Sequence, residues 1–202
     1  GVVDRAFTLE DDWTVELAEA DVVLVATPVA QYPTLLTSIA PAIGPNTVVT
    51  DAGSTKRDVI AAARAALGAR IGQFVPAHPI AGTEHSGAAS AFATLFEGRT
   101  AILTPLPDTD PRALVKVREL WESCGARIRL LEADRHYRVY AAVSHLPHLL
   151  AFAFVDSIAM RPDASVFLEL AGGGFRDFTR IAASSPEMWR DILLANRSAV
   201  KS

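Results

Sequence analysis

Between Asp21 and Leu131 short apolar runs alternate with amphipathic stretches. Asp21-Val22-Val23-Leu24-Val25-Ala26-Thr27 is an unbroken, mostly β-branched run closed by Pro28. That pattern predicts a strand covered on both faces of a parallel sheet. Residues 30–40 carry helical spacing, ended by Pro41 and Gly44. Thr47-Val48-Val49-Thr50-Asp51 predicts the next strand and the Ala-rich residues 55–67 the next helix. A third strand over Gln73-Phe74-Val75-Pro76-Ala77, a helix over 88–96 and a strand over Thr100-Ala101-Ile102-Leu103 follow. A helix over 111–124 and a strand over Arg127-Ile128-Arg129-Leu130-Leu131 close the series. Strands and helices alternating at these spacings predict an α/β domain with a mainly parallel sheet. Beyond Ala133 the period changes: residues 134–160 and 186–200 are helical in pattern and no strand is evident. The chain therefore divides near Glu132, into an α/β domain over 1–132 and an all-helical domain over 133–202.

Composition narrows the reading. Apolar residues make up 50% of the 202 and charged residues 21%, an ordinary globular mix. With 19 basic and 23 acidic residues the formal net charge is -4, and no basic stripe marks a nucleic-acid partner. Cys124 is the single cysteine, which excludes an internal disulfide and a Cys-rich metal site. Such usage fits a reducing, cytoplasmic setting. Gly1-Val2-Val3-Asp4-Arg5 has no apolar core behind a basic start, so no signal peptide is expected there. The longest apolar candidate, residues 141–160, is interrupted by Ser144, His145, Pro147, His148 and Asp156, and no membrane span is expected.

Three stretches carry chemistry. Asp51-Ala52-Gly53-Ser54-Thr55-Lys56 lies between a predicted strand and a predicted helix, where open α/β sheets bind ligands. Gly53 permits close backbone approach and Ser54 offers a hydroxyl; the plainer alternative is a helix N-cap by Ser54 or Thr55. The second stretch is Pro76-Ala77-His78-Pro79-Ile80-Ala81-Gly82-Thr83-Glu84-His85-Ser86-Gly87, again at a strand end. Pro79 restricts His78 to extended backbone. A neutral imidazole there can take a proton from an alcohol, or it is a satisfied structural histidine. His85 reads as a solvated loop residue. The third stretch joins Val143-Ser144-His145-Leu146-Pro147-His148 with Gly174-Phe175-Arg176-Asp177-Phe178-Thr179-Arg180-Ile181-Ala182 and Pro186-Glu187-Met188-Trp189-Arg190-Asp191. His145 and His148 share a helix face, but no His-Glu-x-x-His pattern or ligand-spaced carboxylate accompanies them, so no metal is expected. Arg180 can bind a carboxylate bidentately or make an ordinary ion pair; Trp189 suits a core or an interface. Gly172-Gly173-Gly174 follows no strand and is not a dinucleotide fingerprint.

In order along the chain stand an Ala-Thr-Pro strand end, an Asp-x-Gly-Ser turn, His-Pro-Ile-Ala-Gly-Thr-Glu, Ser-His-Leu-Pro-His, and Gly-Phe-Arg-Asp-x-Thr-Arg-Ile-Ala followed by Met-Trp-Arg-Asp-Ile. With these motifs, spread over residues 26–192, the chain resembles the prephenate and arogenate dehydrogenase family along nearly its whole length. The resemblance implies a partial Rossmann-like parallel-sheet domain that binds NAD or NADP, its first βαβ unit absent from this numbering, and a helical domain that builds a homodimer. It implies oxidative decarboxylation of prephenate to 4-hydroxyphenylpyruvate, or of arogenate to tyrosine, in tyrosine biosynthesis. His78 would be the catalytic base, with Ser54 holding imidazole and hydroxyl in register. Thr83, Glu84, His145, Arg180 and Trp189 would contact substrate, and Asp177 and Trp189 would approach the subunit interface. Thr27, Pro28, Ala52 and Gly53 would touch cofactor. Two other readings stay open. One is a Rossmann-plus-helical dehydrogenase of the β-hydroxyacid type, which His78 in place of a catalytic lysine argues against. The other is a non-catalytic binding or regulatory module that kept the cleft.

Overall fold

In a computed structural model of the chain, the structure describes residues 3–8, 10–82, 87 and 90–202. A short helix, α1 (Thr14–Glu19), precedes a parallel sheet whose order is β1 (Val22–Val25), β2 (Val48–Asp51), β3 (Phe74–Val75). Val22 stands opposite Val48, and Val49 opposite Phe74. The crossovers are α2 (Tyr32–Ile39) and α3 (Arg57–Leu67), which pack on each other and on the sheet. Their buried faces are apolar at helical spacing: Tyr32, Leu36 and Ile39, then Val59, Ala63 and Leu67. Together with Val25, Val49 and Phe74 they form one core.

The predicted third strand is divided. Pro76 has no N–H to donate, and the ladder with β2 stops there. The chain continues as β4 (Ala77–Ile80), which joins a second sheet with β5 (Thr100–Leu103) and β6 (Arg127–Leu130). β4 runs antiparallel to β5, with His78 opposite Ile102, and β5 runs parallel to β6. His78 thus lies within a strand rather than after one. α4 (Pro111–Ser123), capped by Asp110 accepting from the Arg112 N–H, covers this sheet with Val117 and Trp121.

Three sequence expectations change. β1 is at the edge of its sheet and Leu24 is 44% exposed, so the run is not covered on both faces. The helix expected over 88–96 does not form among the described residues. Instead Leu95 N–H bonds Phe92 C=O and Glu97 N–H bonds Thr94 C=O, a chain of tight turns. Phe96 anchors that chain edge-on against Trp121. Finally, the apolar stretch after Ala133 is not interrupted by its polar residues. α5 (Ala133–Tyr140), a π-helical turn over Ala141–His145 and α6 (Leu146–Ala159) make one 27-residue helix, long and apolar enough by length and composition to cross a membrane. Pro147 is tolerated because it sits just past the widened turn, where the hydrogen-bond ladder is already interrupted.

The helical part ends with α7 (Ala164–Glu169), α8 (Gly173–Thr179), α9 (Pro186–Ala195) and α10 (Arg197–Val200). α9 starts on Ser185, whose Oγ accepts the Met188 N–H, with Pro186 in its first turn. It lays Trp189 and Ile192 into the same core as β1, β2 and α2. The two halves therefore share buried apolar surface, and the site forms along that seam.

Candidate active site

The chain after β2 turns sharply, and a buried charge pair shapes the turn. Asp51 accepts the Gly53 N–H at 2.8 Å on one carboxylate oxygen and the Ala77 N–H at 2.9 Å on the other. Lys56, fully buried, ion-pairs with Asp51 and donates to the Ala77 carbonyl at 2.7 Å. Burial pushes the Asp51 carboxyl up and the Lys56 ammonium down, and their mutual attraction opposes both shifts. The Tyr32 hydroxyl donates to the Val25 carbonyl at 3.0 Å and lies 3.4 Å from Asp51. Gly53 has its place for this packing: a Cβ there would come 2.9 Å from Asp51 Oδ2 and 3.0 Å from the Tyr32 hydroxyl. Neither Ser54 nor Thr55 caps α3; Thr55 donates to Asp58 at 3.0 Å instead.

His78 projects from β4 and is only 8% exposed. Its Nδ1 lies 2.8 Å from Nε2 of His136, a residue of α5 that is 1% exposed. Tyr140 packs against both rings, with centroids 4.8 Å from His78 and 4.5 Å from His136. Burial holds the His78 imidazole well below the usual histidine range, helped by the Lys56 charge and by His136 and His145. His136 is pushed down to about 3, again mainly by burial. Both rings are therefore neutral at physiological pH.

A cleft of about 480 Å³ opens beside His78. The α/β half contributes Ser54, His78 and Arg99. The helical half contributes Tyr140, Ser144, His148, Arg180 and Trp189. His148 stacks flat on Trp189, with centroids 3.4 Å apart, and its Nδ1 bonds the Ser144 carbonyl at 2.9 Å. Arg180, in the turn after α8, is exposed, and it makes no hydrogen bond or ion pair with the other described residues. Its charge helps hold His148 below the usual histidine range, after burial.

The fold thus brings Ser54, His78, Arg180 and Trp189 to one cleft. His145 is placed elsewhere. It is 1% exposed, with Nδ1 accepting from the Asn196 amide at 2.8 Å, and it does not line the cleft. His148, its neighbour by one helical turn, takes the cleft position. Thr27 and Pro28 stand past the end of β1, and Ala52 and Gly53 past the end of β2. The Thr27 hydroxyl is buried with no partner among the described residues. Such strand ends are where open parallel sheets take nucleotides, and an unpaired hydroxyl there fits a polar ligand. Thr83, Glu84 and His85 lie outside the described residues.

His136, Tyr140 and Arg99 were not singled out in the sequence, and Ser144 and His148 were named there only within the Ser-His-Leu-Pro-His stretch, with no place in the cleft. Four of them repeat at every fourth residue along one helix, and that spacing is a signal. In a straight α-helix such positions drift by about 40° per step. The widened turn over Ala141–His145 offsets part of the drift and keeps His136, Tyr140, Ser144 and His148 toward β4 and the cleft.

A sheet domain with nucleotide-type strand ends, joined to a helical domain across a histidine-bearing cleft, defines the class of two-domain, nucleotide-dependent enzymes. Residues 2–130 match the model of the prephenate dehydrogenase nucleotide-binding domain, and residues 132–202 that of the prephenate dehydrogenase dimerization domain. The chain belongs to the prephenate dehydrogenase family. It is 37% identical to a cyclohexadienyl dehydrogenase of Zymomonas mobilis, over 97% of this chain and 68% of that protein. It is 39% identical to a prephenate dehydrogenase of Bacillus subtilis, over 99% of this chain and 53% of that protein. Its fold superposes with a TM-score of 0.85 on the prephenate dehydrogenase of A. aeolicus solved with hydroxyphenyl propionate and NAD+. That pair is 40% identical, over 95% of this chain and 66% of the other. The chain thus spans between about half and two thirds of the length of these relatives.

Proposed function

We propose that the chain forms the catalytic cleft of an NAD(P)-dependent dehydrogenase that oxidatively decarboxylates prephenate or arogenate, yielding 4-hydroxyphenylpyruvate or tyrosine. The observation that carries this reading is the His78 ring: Nδ1 is engaged by His136, and Nε2 is left without a partner among the described residues at the edge of the cleft. In the productive tautomer His78 Nδ1–H donates to His136 Nε2, so a lone pair on Nε2 faces the substrate hydroxyl. A nicotinamide dinucleotide, when bound, supplies the hydride acceptor. Thr27, Pro28, Ala52 and Gly53, past the ends of β1 and β2, would hold it. As C4 of the ring is oxidised, its hydroxyl becomes a protonated carbonyl and strongly acidic. Even an imidazole of lowered basicity then takes the proton readily. Positioned general-base assistance of this kind is worth roughly 10²–10⁴ in rate. Loss of carbon dioxide from the ring carboxylate leaves its electron pair to aromatise the ring, which makes the reaction irreversible.

Ser54 lines the same cleft as His78 and would hold the hydroxyl in register. Arg180 and Arg99 enter the cleft from opposite halves, so two guanidiniums are available for the two carboxylates of the substrate. Trp189 and His148 form a flat wall for the ring. The exposed apolar side chains of α6 and α7, among them Leu150, Phe154 and Leu168, fit burial against a second copy in a cytoplasmic homodimer. The test is formation of reduced cofactor by the full-length gene product, with each substrate paired with each dinucleotide. Turnover with one pairing is expected. A folded protein that turns over none of them contradicts the assignment.

A further inference from the structure

We propose that the buried Asp51–Lys56 ion pair is a positioning device for the reaction, tying the strand that carries His78 to the turn that carries Ser54. The proposal rests on the reading of the cleft given above and adds two residues that touch neither substrate nor cofactor in it.

The argument starts from Pro76. The β2–β3 ladder ends at Thr50 and Val75, so on that side Ala77 has no backbone partner. Side chains replace the ladder: Asp51 takes the Ala77 N–H and Lys56 donates to the Ala77 C=O. Both main-chain groups of the residue before His78 are thereby fixed by one charge pair. The second Asp51 oxygen takes the Gly53 N–H, which fixes the turn leading into Ser54. A single cluster thus sets the relative position of two segments that are 24 residues apart in the numbering (78 − 54).

Stability alone is a weak reason for such a pair. Taking two charges out of water costs nearly what their attraction returns, and well-packed apolar residues of the same volume commonly do as well. A pair that also holds two strand ends in register has a further use, because misplacing a reacting group by about 1 Å can cost 10²-fold in rate. The Lys56 ammonium has an electrostatic role as well. The groups around His78 are Lys56 from the turn, His136 and Tyr140 from α5, and His145 from the π-helical turn. Lys56 is the fixed cation among them, and it opposes protonation of His78.

The test uses the full-length enzyme and two variants, Lys56→Met and the doubly neutral Asp51→Asn/Lys56→Met. The double variant leaves no unpaired buried charge and is the informative one. Circular dichroism and thermal melting establish that it folds. Its kcat is expected to fall by about 10²-fold with KM little changed. In Lys56→Met, where the cation is gone and the Asp51 carboxylate remains, the midpoint of the His78 ring titration, read by NMR on isotope-labelled histidine, is expected to move up. A folded double variant with wild-type kcat, or a folded Lys56→Met with an unmoved His78 titration, would overturn the proposal. So would failure of both variants to fold, which would assign the pair to stability alone. The titration is read without turnover. A wild-type protein inactive on every substrate would sink the functional reading, while the titration would still decide whether Lys56 acts on His78.

Discussion

Replacing His136 by Phe isolates what orients the His78 imidazole. Phe keeps a ring against Tyr140, whose centroid is 4.5 Å from that of His136, so packing is largely retained. What disappears is the ring nitrogen 2.8 Å from His78 Nδ1, which is the acceptor in the proposed tautomer. A buried donor left unsatisfied costs roughly 1–3 kcal/mol. If the ring turns to recover that energy, Nε2 leaves the substrate hydroxyl. At about 1.4 kcal/mol per tenfold in rate, the loss corresponds to a fall in kcat of roughly 5- to 150-fold. KM should hold, because His136 does not line the cleft. Initial rates of reduced-cofactor formation, measured beside a thermal melt, decide the matter. A folded His136→Phe protein with wild-type kcat would refute the claim that His136 sets the tautomer and direction of His78.

Other outcomes follow from the same geometry. Arg180→Ala should raise KM by roughly 10- to 150-fold with kcat nearly held, the effect of losing one charge-assisted contact to a substrate carboxylate; an unchanged KM would remove Arg180 from the site. Gly53→Ala should lower stability by about 1–3 kcal/mol, because its Cβ would meet Asp51 Oδ2 at 2.9 Å and Val29 Cγ1 at 3.1 Å; an unshifted melting temperature would contradict that packing. Acid should destabilise the fold. The folded-state values of His136, about 3, and His145, about 4, lie below the unfolded value of 6.5. Between those limits the unfolded chain binds more protons, so stability is full above pH 6.5 and falls as pH drops toward 4. The slope is up to about 1.4 kcal/mol per pH unit for each histidine; a melting temperature flat over that range would show that the rings are not buried neutral.

Much of this architecture is readable from local pattern. The run Thr47-Val48-Val49-Thr50 and the spacing of Val59, Ala63 and Leu67 announce strand and helix directly, and both form within two residues of their expected ends. The ordered motifs single out Ser54, His78, Arg180 and Trp189, and the fold brings those four together. The failures have physical reasons. Leu24 is exposed because coverage of a strand depends on neighbours, which its own residues do not encode. The stretch before Gly98 has helical composition, but turns anchored by Phe96 on Trp121 replace the helix, a tertiary contact that overrides local preference. The shared face of His145 and His148 is legible, but not which of the two reaches the cleft. Both rings reach Trp189, but His145 is buried against Asn196 while His148 lies at the cleft. His136 is hidden because nothing in the sequence pairs it with His78, 58 positions away.

The most direct check on the proposed chemistry is product stoichiometry in the full-length enzyme: carbon dioxide released and cofactor reduced, per aromatic product formed, in wild type and in His78→Ala. One of each per turnover in the wild type is expected, with both falling together by roughly 10²–10⁴ in the variant. Turnover undiminished without His78, or cofactor reduced without loss of carbon dioxide, would contradict an oxidative decarboxylation driven from the His78 ring.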